Sequence, residues 1–418
     1  MTDSAIKWPR VNAAWLHAPA LEKVFAALAK GGATTRVVGG AVRNTLIDRP
    51  VNEVDIATTA PPEETERLAR AAGLGAHPTG IDHGTITVVA DGQPYEVTTL
   101  RRDVETDGRH AVVAFTGDWN EDASRRDFTI NALYCDPDGT LYDPVGGLDD
   151  LRKHHVRFIG DAKQRIREDF LRILRFFRFS AQYGDGHIDP TGLAAAEELK
   201  DGLILLSAER VRAEMLKLLA APNAPEVLAV MYKAGILQLA IRTLIEPDRF
   251  ARLAAIEAAL GETPDPVTRL AALAVIHPGD ETFLAEQLKL SNAEASRIAI
   301  AFATEPGIDP ETSEAVGRAA LYKLGPENFK RAVLLAWARS EAPPSSQNWR
   351  ARALLPDRWT VPKLPVSGSD VIALGLAPGP AIGNVLQAFE NWWMGNNFPS
   401  DAELQRSVLK DLAAKALA

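Results

Sequence analysis

Apolar positions along the chain fall into three textures. Leu21, Val24, Phe25 and Leu28 recur at helical spacing, which predicts a lead-in helix over the first 30 or so residues. From about residue 34 to 150 the runs become short and β-rich, broken by glycine and proline. TRVV, VDIAT, GTITVVA and YEVTTL read as strands, the last two close enough in sequence to form a hairpin. PPEETERLARAAGL reads as a helix opened by proline. Beyond about residue 155 the pattern is helical almost throughout, with breaks at Tyr183–Pro190, Ala221–Pro225 and Gly261–Pro266. A Pro/Ser-rich patch from Glu341 to Trp349 reads as a linker before a final helical piece. No fixed-period repeat is visible. The class this predicts is α+β, an α/β head followed by an elongated helical part.

A length of 418 residues exceeds what one core usually serves, so two to four units are expected. Hydrophobic residues at 46% and charged residues at 24% place the chain among ordinary globular proteins. No apolar run approaches a membrane span, and the N-terminus lacks a basic-then-apolar signal pattern. Cys135 is the sole cysteine, which excludes an internal disulfide framework and a cysteine-built metal site. It reads as a small buried hydrophobe in a protein of the reducing cytoplasm. A formal net charge of −9 argues against indiscriminate nucleic-acid binding. The charges are uneven, however, and Lys163 to Phe179 is densely basic, which leaves room for a local polyanion surface.

The chemistry concentrates first in Arg36–Thr59. A strand turns on Gly39-Gly40 into a helix beginning near Ala41, and outward-facing N–H groups at such a turn suit phosphate. Glu53 and Asp55, two apart on a strand, would share one face. Crowded carboxylates repel unless a cation sits between them, and Mg²⁺ with its oxygen ligands fits. Glu96, on the hairpin, could bring a third carboxylate to a two-metal site. Taken alone, an E-x-D pair is more often a solvated strand face. In the loop Thr106–Leu133, Arg125 and Arg126 with Asp127 precede a helix-like run from Phe128 to Leu133. Planar guanidiniums there could clamp a triphosphate or ribose, or could simply decorate a capped helix start. Asp143 to Gly147 reads as a tight structural turn.

Asp169, Arg172, Arg175 and Arg178 are spaced by three, a stripe along one face of a basic helix. Salt-bridged surface arginines are the plain explanation. The sharper one makes Asp169 and Arg172 a base-reading pair, the carboxylate accepting from an exocyclic amine and the guanidinium donating to a ring acceptor. Cytosine and adenine offer that arrangement; uracil and guanine do not.

Taken in order, these segments resemble the class II CCA-adding tRNA nucleotidyltransferases and their relatives, the bacterial poly(A) polymerases. The resemblance rests on GGAVRN at 39–44, EVD at 53–55, EVTTLRRD at 96–103 and RRDFTINAL at 125–133. It continues through DPVGG at 143–147, EDFLRILRFFRF at 168–179 and SAERVRAEMLKLL at 207–219, and thins into LKLSNAE at 288–294 and GSDVIALGLAPGPAIGNVL at 368–386. It implies a polymerase-β-like nucleotidyltransferase head at 1–152, a helical neck at 153–221, a body at 222–345 and a tRNA-binding tail at 346–418. It implies that Glu53, Asp55 and Glu96 hold catalytic Mg²⁺, and that Gly39, Gly40 and Arg43 serve the triphosphate. Arg125, Arg126 and Asp127 would serve ribose and phosphates, and Asp169 with Arg172 the base, on the helix that also carries Arg175 and Arg178. The implied reaction is template-independent addition of CCA to the 3′ end of tRNA from CTP and ATP, by a cytoplasmic monomer with no membrane association. Poly(A) synthesis, partial CC or A addition, and a catalytically silent tRNA-binding protein are the alternatives, with the Thr106–Ala123 loop the place where such choices would be made. Two positions depart from the family pattern: Glu53 stands where an aspartate is usual, and Asn44 where aspartate is frequent. His277-Pro278-Gly279-Asp280 has no adjacent His-Asp pair, so no phosphohydrolase activity is expected.

Overall fold

The computed structural model describes residues 10–107 and 110–417, residues 82, 103–107 and 110–113 by their backbone alone. Part of the lead-in segment and the tip of the Thr106–Ala123 loop therefore lie outside the described residues. Contacts divide the chain into two units, Met1–Ala240 and Ile241–Ala418.

In the first unit, α1 (Pro19–Ala29) buries Leu21, Val24, Phe25 and Leu28, the stripe that the spacing predicted. A single 3₁₀ turn, Ala14–His17, precedes it, so the lead-in is two pieces rather than one helix. A seven-stranded sheet follows, built from β1 (Thr35–Val38), β2 (Asp55–Thr58), β3 (Gly75–Gly80), β4 (Thr85–Ala90), β5 (Gln93–Thr99), β8 (Tyr134–Cys135) and β9 (Leu141–Tyr142), in the order β3-β4-β5-β2-β1-β8-β9. β4 and β5 form the expected hairpin, with Thr87 opposite Glu96. β2 runs parallel to β5, with Ile56 opposite Val97, and antiparallel to β1, with Asp55 opposite Val38, so Asp55 and Glu96 each directly precede a paired residue of neighbouring strands. Between them α2 (Gly40–Leu46) and α3 (Pro62–Ala71) cross over, α3 with proline in its first turn.

Three local readings are corrected. The stretch taken as a loop from Thr106 carries a separate two-stranded ribbon, β6 (Arg101–Asp107) with β7 (His110–Phe115), and then α4 (Trp119–Ser124). Its strand character rests on pairing with a neighbour close in sequence, which apolar alternation alone did not announce. Phe128 to Leu133 is no helix: only Thr129–Asn131 makes a 3₁₀ turn, after which the chain enters β8. Residues 163–179 are two helices, α6 (Ala162–Glu168) and α7 (Leu171–Tyr183), separated by Asp169 in extended conformation at φ −157°.

The Asp143–Gly147 turn is structural as expected. The Asp143 carboxylate accepts from the Gly147 and Leu148 amides at 2.8 and 2.9 Å, starting α5 (Gly147–Arg152). A Cβ on Gly147 would lie 2.1 Å from the Thr129 carbonyl oxygen, so this approach requires glycine. α9 (Ala208–Leu219) and α10 (Ala224–Lys233) pack on α7, and α8 (Pro190–Leu199) packs on α6. Ile173, Leu174, Phe176 and Phe177 are buried beneath them, the apolar face of the basic helix.

The second unit is wholly helical among the described residues. Helices Pro247–Leu260, Pro266–Ala274 and Pro326–Arg339 bury Phe250, Leu253, Leu270, Phe329, Val333 and Trp337. The patch Glu341–Trp349 does not release the chain into a free linker: Trp349 stacks on buried Trp337, ring centroids 6.2 Å apart and planes 9° apart. A separate cluster, Val371, Leu376, Val385, Phe389, Trp393, Leu409 and Ala413, closes the C-terminal helices. No helix among the described residues is long and apolar enough to cross a membrane. Cys135 is buried with a free thiol.

Candidate active site

A cleft of about 610 Å³ in the first unit is lined by Gly39, Gly40, Arg43, Glu53, Asp55, Arg126, Asp127, Asp169, Arg172, Arg175 and Arg178, together with Asn131, Phe179 and Arg210. Sheet, RRD segment and α7 therefore converge on one cavity. Two expected residues stand apart from its lining: Arg125 and Glu96.

Gly39 holds φ 73° and ψ −117°, a backbone that favours glycine, and this is what swings the chain from β1 into α2. Arg43, on α2, is buried and all three nitrogens of its guanidinium donate within the protein. It donates to the Tyr183 hydroxyl at 2.7 Å, to Asn44 Oδ1 at 3.1 Å and to Asn131 Oδ1. Burial holds its pKa below the usual arginine value, against the pull of Tyr183.

Glu53 lies in the loop before β2 rather than on a strand with Asp55, yet both line the cleft. The shared-face reading of an E-x-D on one strand is thus corrected, while their convergence stands. Partial burial, then the charge of Glu96 and then that of Glu53, hold the Asp55 carboxyl above its ordinary pKa, with Arg126 opposing. The three carboxylates are thus electrostatic neighbours. Among the described residues no three His, Cys, Asp or Glu side chains stand close enough to form a ready-made metal cage. An all-oxygen set of mutually repelling carboxylates fits a hard divalent cation that takes its remaining ligands from nucleotide phosphates and water.

Sequence reasoning missed Asp122. Its side chain is 1% exposed and gathers both arginines of the RRD segment, Arg125 at 2.7 Å and Arg126 at 3.0 Å, with the Tyr134 hydroxyl donating at 2.8 Å. Burial alone would raise its pKa, but Arg126, Arg125 and Tyr134 hold it at about 2. This tether aims Arg126 into the cleft and keeps Arg125 behind it. Asp127 is likewise buried and occupied: it accepts from the Phe128 amide at 2.8 Å, from Asn131 Nδ2 at 2.9 Å and from Arg175. Burial opposes its charge, and Arg175, Asn131 and the Phe128 amide overcome that to set it at about 2. Its position is that of a residue that arranges other cleft groups.

On the opposite wall, Asp169 breaks the basic helix. Its Oδ1 accepts from the Leu171 amide at 3.1 Å and its Oδ2 from Arg210 of α9 at 2.6 Å. Arg172 pairs with Glu168 and donates to the Arg165 carbonyl at 2.8 Å. Arg178 is held by Glu214 of α9 at 2.5 Å, and Arg175 also reaches Glu214 at 3.7 Å. Arg210 and Glu214 are one helical turn apart, inside the SAERVRAEM run, and no local pattern marks them as partners of residues some 40 positions earlier. Phe179 lies under three guanidiniums, Arg178 at 4.2 Å, Arg43 at 5.3 Å and Arg175 at 5.5 Å from its centroid.

Residues 35–157 match the model of the poly A polymerase head domain, and residues 187–244 that of a probable RNA- and SrmB-binding site of polymerase A. The mitochondrial CCA tRNA nucleotidyltransferase 1 of Danio rerio is 36% identical over 384 residues, 90% of this chain and 86% of that protein. The chain belongs to the CCA tRNA nucleotidyltransferase family. Another family member, the CCA-adding enzyme of Limosilactobacillus fermentum, is 32% identical over 373 residues, 87% of this chain and 89% of its own. The crystal structure of the Bacillus stearothermophilus CCA-adding enzyme in complex with CTP superposes with a TM-score of 0.70 at 27% identity, covering 95% of this chain and 99% of that one. The α+β architecture of the CCA tRNA nucleotidyltransferase family is therefore this chain's own, with its cleft where the matched head segment meets α7.

Proposed function

We propose that this protein adds CCA to the 3′ end of tRNA, taking CTP and then ATP and releasing pyrophosphate. The observation that carries this is the single cleft in which Glu53 and Asp55 face an arginine-lined helix headed by Asp169. Acids on one wall suit the ions of phosphoryl transfer; the other wall suits an incoming nucleotide.

In this reading the nucleotide triphosphate lies along the Gly39-Gly40 turn, with Arg126, Arg175 and Arg178 matching its charge. Arg43 backs that turn, and Arg125 and Asp127 support the RRD segment from behind. Asp169 accepts from the exocyclic amine of cytosine or adenine, and Arg172 donates to the neighbouring ring acceptor. Each of these two side chains keeps lone pairs or N–H groups free beside the protein partners that orient it. The tRNA 3′-hydroxyl attacks the α-phosphate, a new P–O bond forms, the bond to the β-phosphate breaks and pyrophosphate leaves. Glu53, Asp55 and Glu96 would hold Mg²⁺, which lowers the pKa of the attacking hydroxyl and offsets charge on the leaving group. Positioning and charge neutralisation account for most of the acceleration. We retain the division into head (1–152), neck (153–221), body (222–345) and tail (346–418), the tail receiving tRNA. We also retain a monomeric state and, from its single buried free thiol, a cytoplasmic location.

The test supplies tRNA lacking its terminal CCA and each labelled nucleotide in turn. Two C followed by one A, then a stop, is the expected product. Long A tracts would instead make it a poly(A) polymerase, C alone or A alone a partial enzyme, and no product with Mg²⁺ or Mn²⁺ a silent tRNA-binding protein.

A further inference from the structure

Tyr183 belongs to none of the sequence features that pointed to a nucleotide site, yet it sits at a junction of the cleft wall. It is the last residue of α7 and is buried. Its hydroxyl accepts from Arg43 Nη2 at 2.7 Å and donates to Asn44 Oδ1 at 3.3 Å. Its ring carries the Arg43 guanidinium at 4.2 Å and that of Arg49 at 5.0 Å, while Arg49 donates to the Gln182 carbonyl at 2.7 Å. Three residues that follow the Gly39-Gly40 turn, Arg43, Asn44 and Arg49, thus reach the C-terminal end of α7.

A second connection meets the same helix farther up. Arg43 donates to Asn131 Oδ1, Asn131 donates to Asp127 at 2.9 Å, and Asp127 accepts from Arg175 at 2.5 Å. Arg175 and Tyr183 are eight residues apart on α7, about 12 Å along its axis at 1.5 Å per residue. The circuit Arg43–Tyr183–α7–Arg175–Asp127–Asn131–Arg43 is closed. A helix tied at one point can pivot; tied at two points 12 Å apart it holds both its slide and its rotation against the turn. Its upper end carries Arg172, and Asp169 stands just before it.

We propose that Tyr183 is a positioning residue of this site: by holding Arg43 against the end of α7 it sets the distance between the Gly39-Gly40 turn and the base-reading end of the helix, so that triphosphate and base are gripped together. The proposal rests on the nucleotidyl-transfer reading of the cleft. A residue acting this way contributes to nucleotide binding in ground and transition state alike, so its loss raises KM and Kd with little effect on kcat. A purely structural role would lower the active fraction, and with it kcat, at constant KM.

The experiment uses the full chain with Tyr183→Phe, which keeps the ring and its packing and removes only the hydroxyl. Equilibrium binding of CTP and of ATP is measured without tRNA, alongside KM and kcat for incorporation into tRNA lacking CCA. The expected result is Kd and KM raised about tenfold for both nucleotides with kcat within about threefold, the scale of one lost hydrogen bond that leaves a buried donor unpaired. Arg43→Ala and the double variant complete a cycle. Because Tyr183 acts through Arg43, the double variant should bind no worse than Arg43→Ala alone. Unchanged Kd in Tyr183→Phe, or effects of the two substitutions that multiply in full, would overturn the proposal. Wild-type protein that binds CTP but incorporates nothing would overturn the reaction assigned above, while the binding cycle still decides the role of Tyr183.

Discussion

Nη2 of Arg175 lies 2.5 Å from Oδ2 of Asp127, so the middle of α7 is ion-paired to the RRD segment beside the sheet. The pair is largely withdrawn from water, and Asp127 also takes up Asn131 and the Phe128 amide. Removing Asp127 would leave the Phe128 amide and Asn131 Nδ2 without their acceptor and Arg175 with Glu214 alone, at 3.7 Å. Asp127→Ala is therefore expected to cost about 3 kcal/mol of stability in urea denaturation at pH 7. Loss of less than about 0.5 kcal/mol would show the pair to be ornamental.

The same carboxylate makes a statement about acid. Asp127 and Asp122 are each held at about 2, below their ordinary value of 3.8. A carboxylate depressed on folding contributes stability that is fully present above its unfolded pKa and is lost as pH falls through its folded pKa. Stability of the first unit should thus decline between about pH 4 and pH 2, and Asp127→Asn should flatten that decline in melting curves taken across this window.

Asp55 works in the opposite sense. Its carboxyl is pushed up by burial, Glu96 and Glu53, so its charge costs stability above its folded pKa. Asp55→Asn should raise the melting temperature of metal-free protein at pH 7 while reducing nucleotide incorporation about a thousandfold, the scale of losing a preorganised electrostatic contact. A fall in both would mean that Asp55 is structural.

Base choice should depend on Asp169 and on what aims it. Asp169→Ala is expected to narrow the preference for CTP over UTP by at least about tenfold, one bidentate contact's worth of discrimination, and to leave Mg²⁺ dependence unchanged. Competition between labelled CTP and UTP measures it, and an unaltered ratio removes the base-reading role.

Gly147→Ala tests the turn that supports the RRD segment. The added methyl would meet the Thr129 carbonyl oxygen at 2.1 Å, backbone against backbone, with no flexible side chain to yield. A loss of about 2 kcal/mol or more is expected by calorimetry.

Chain order alone made the sheet strands around Asp55 and Glu96 legible, because alternation of apolar residues is a local signal, and the paired glycines marked their own turn. It made the acids and arginines of the cleft legible as types. What stayed hidden were partners chosen across the fold. Asp169 reads as one more residue of a basic helix, but in the structure it leaves that helix, where its carboxylate accepts from the Leu171 amide and from Arg210. Asp122 lies in a stretch that reads as a loop, and it is the buried anchor of two arginines. Tyr183 reads as a helix end, and is the tie that closes a circuit with Arg43. The sequence by itself determined which groups were available and on which local element each would ride, since propensity and periodicity act over a few residues. Only the tertiary structure decided which charge meets which, because an ion pair is selected by distance and burial between segments that approach one another only once the core has formed.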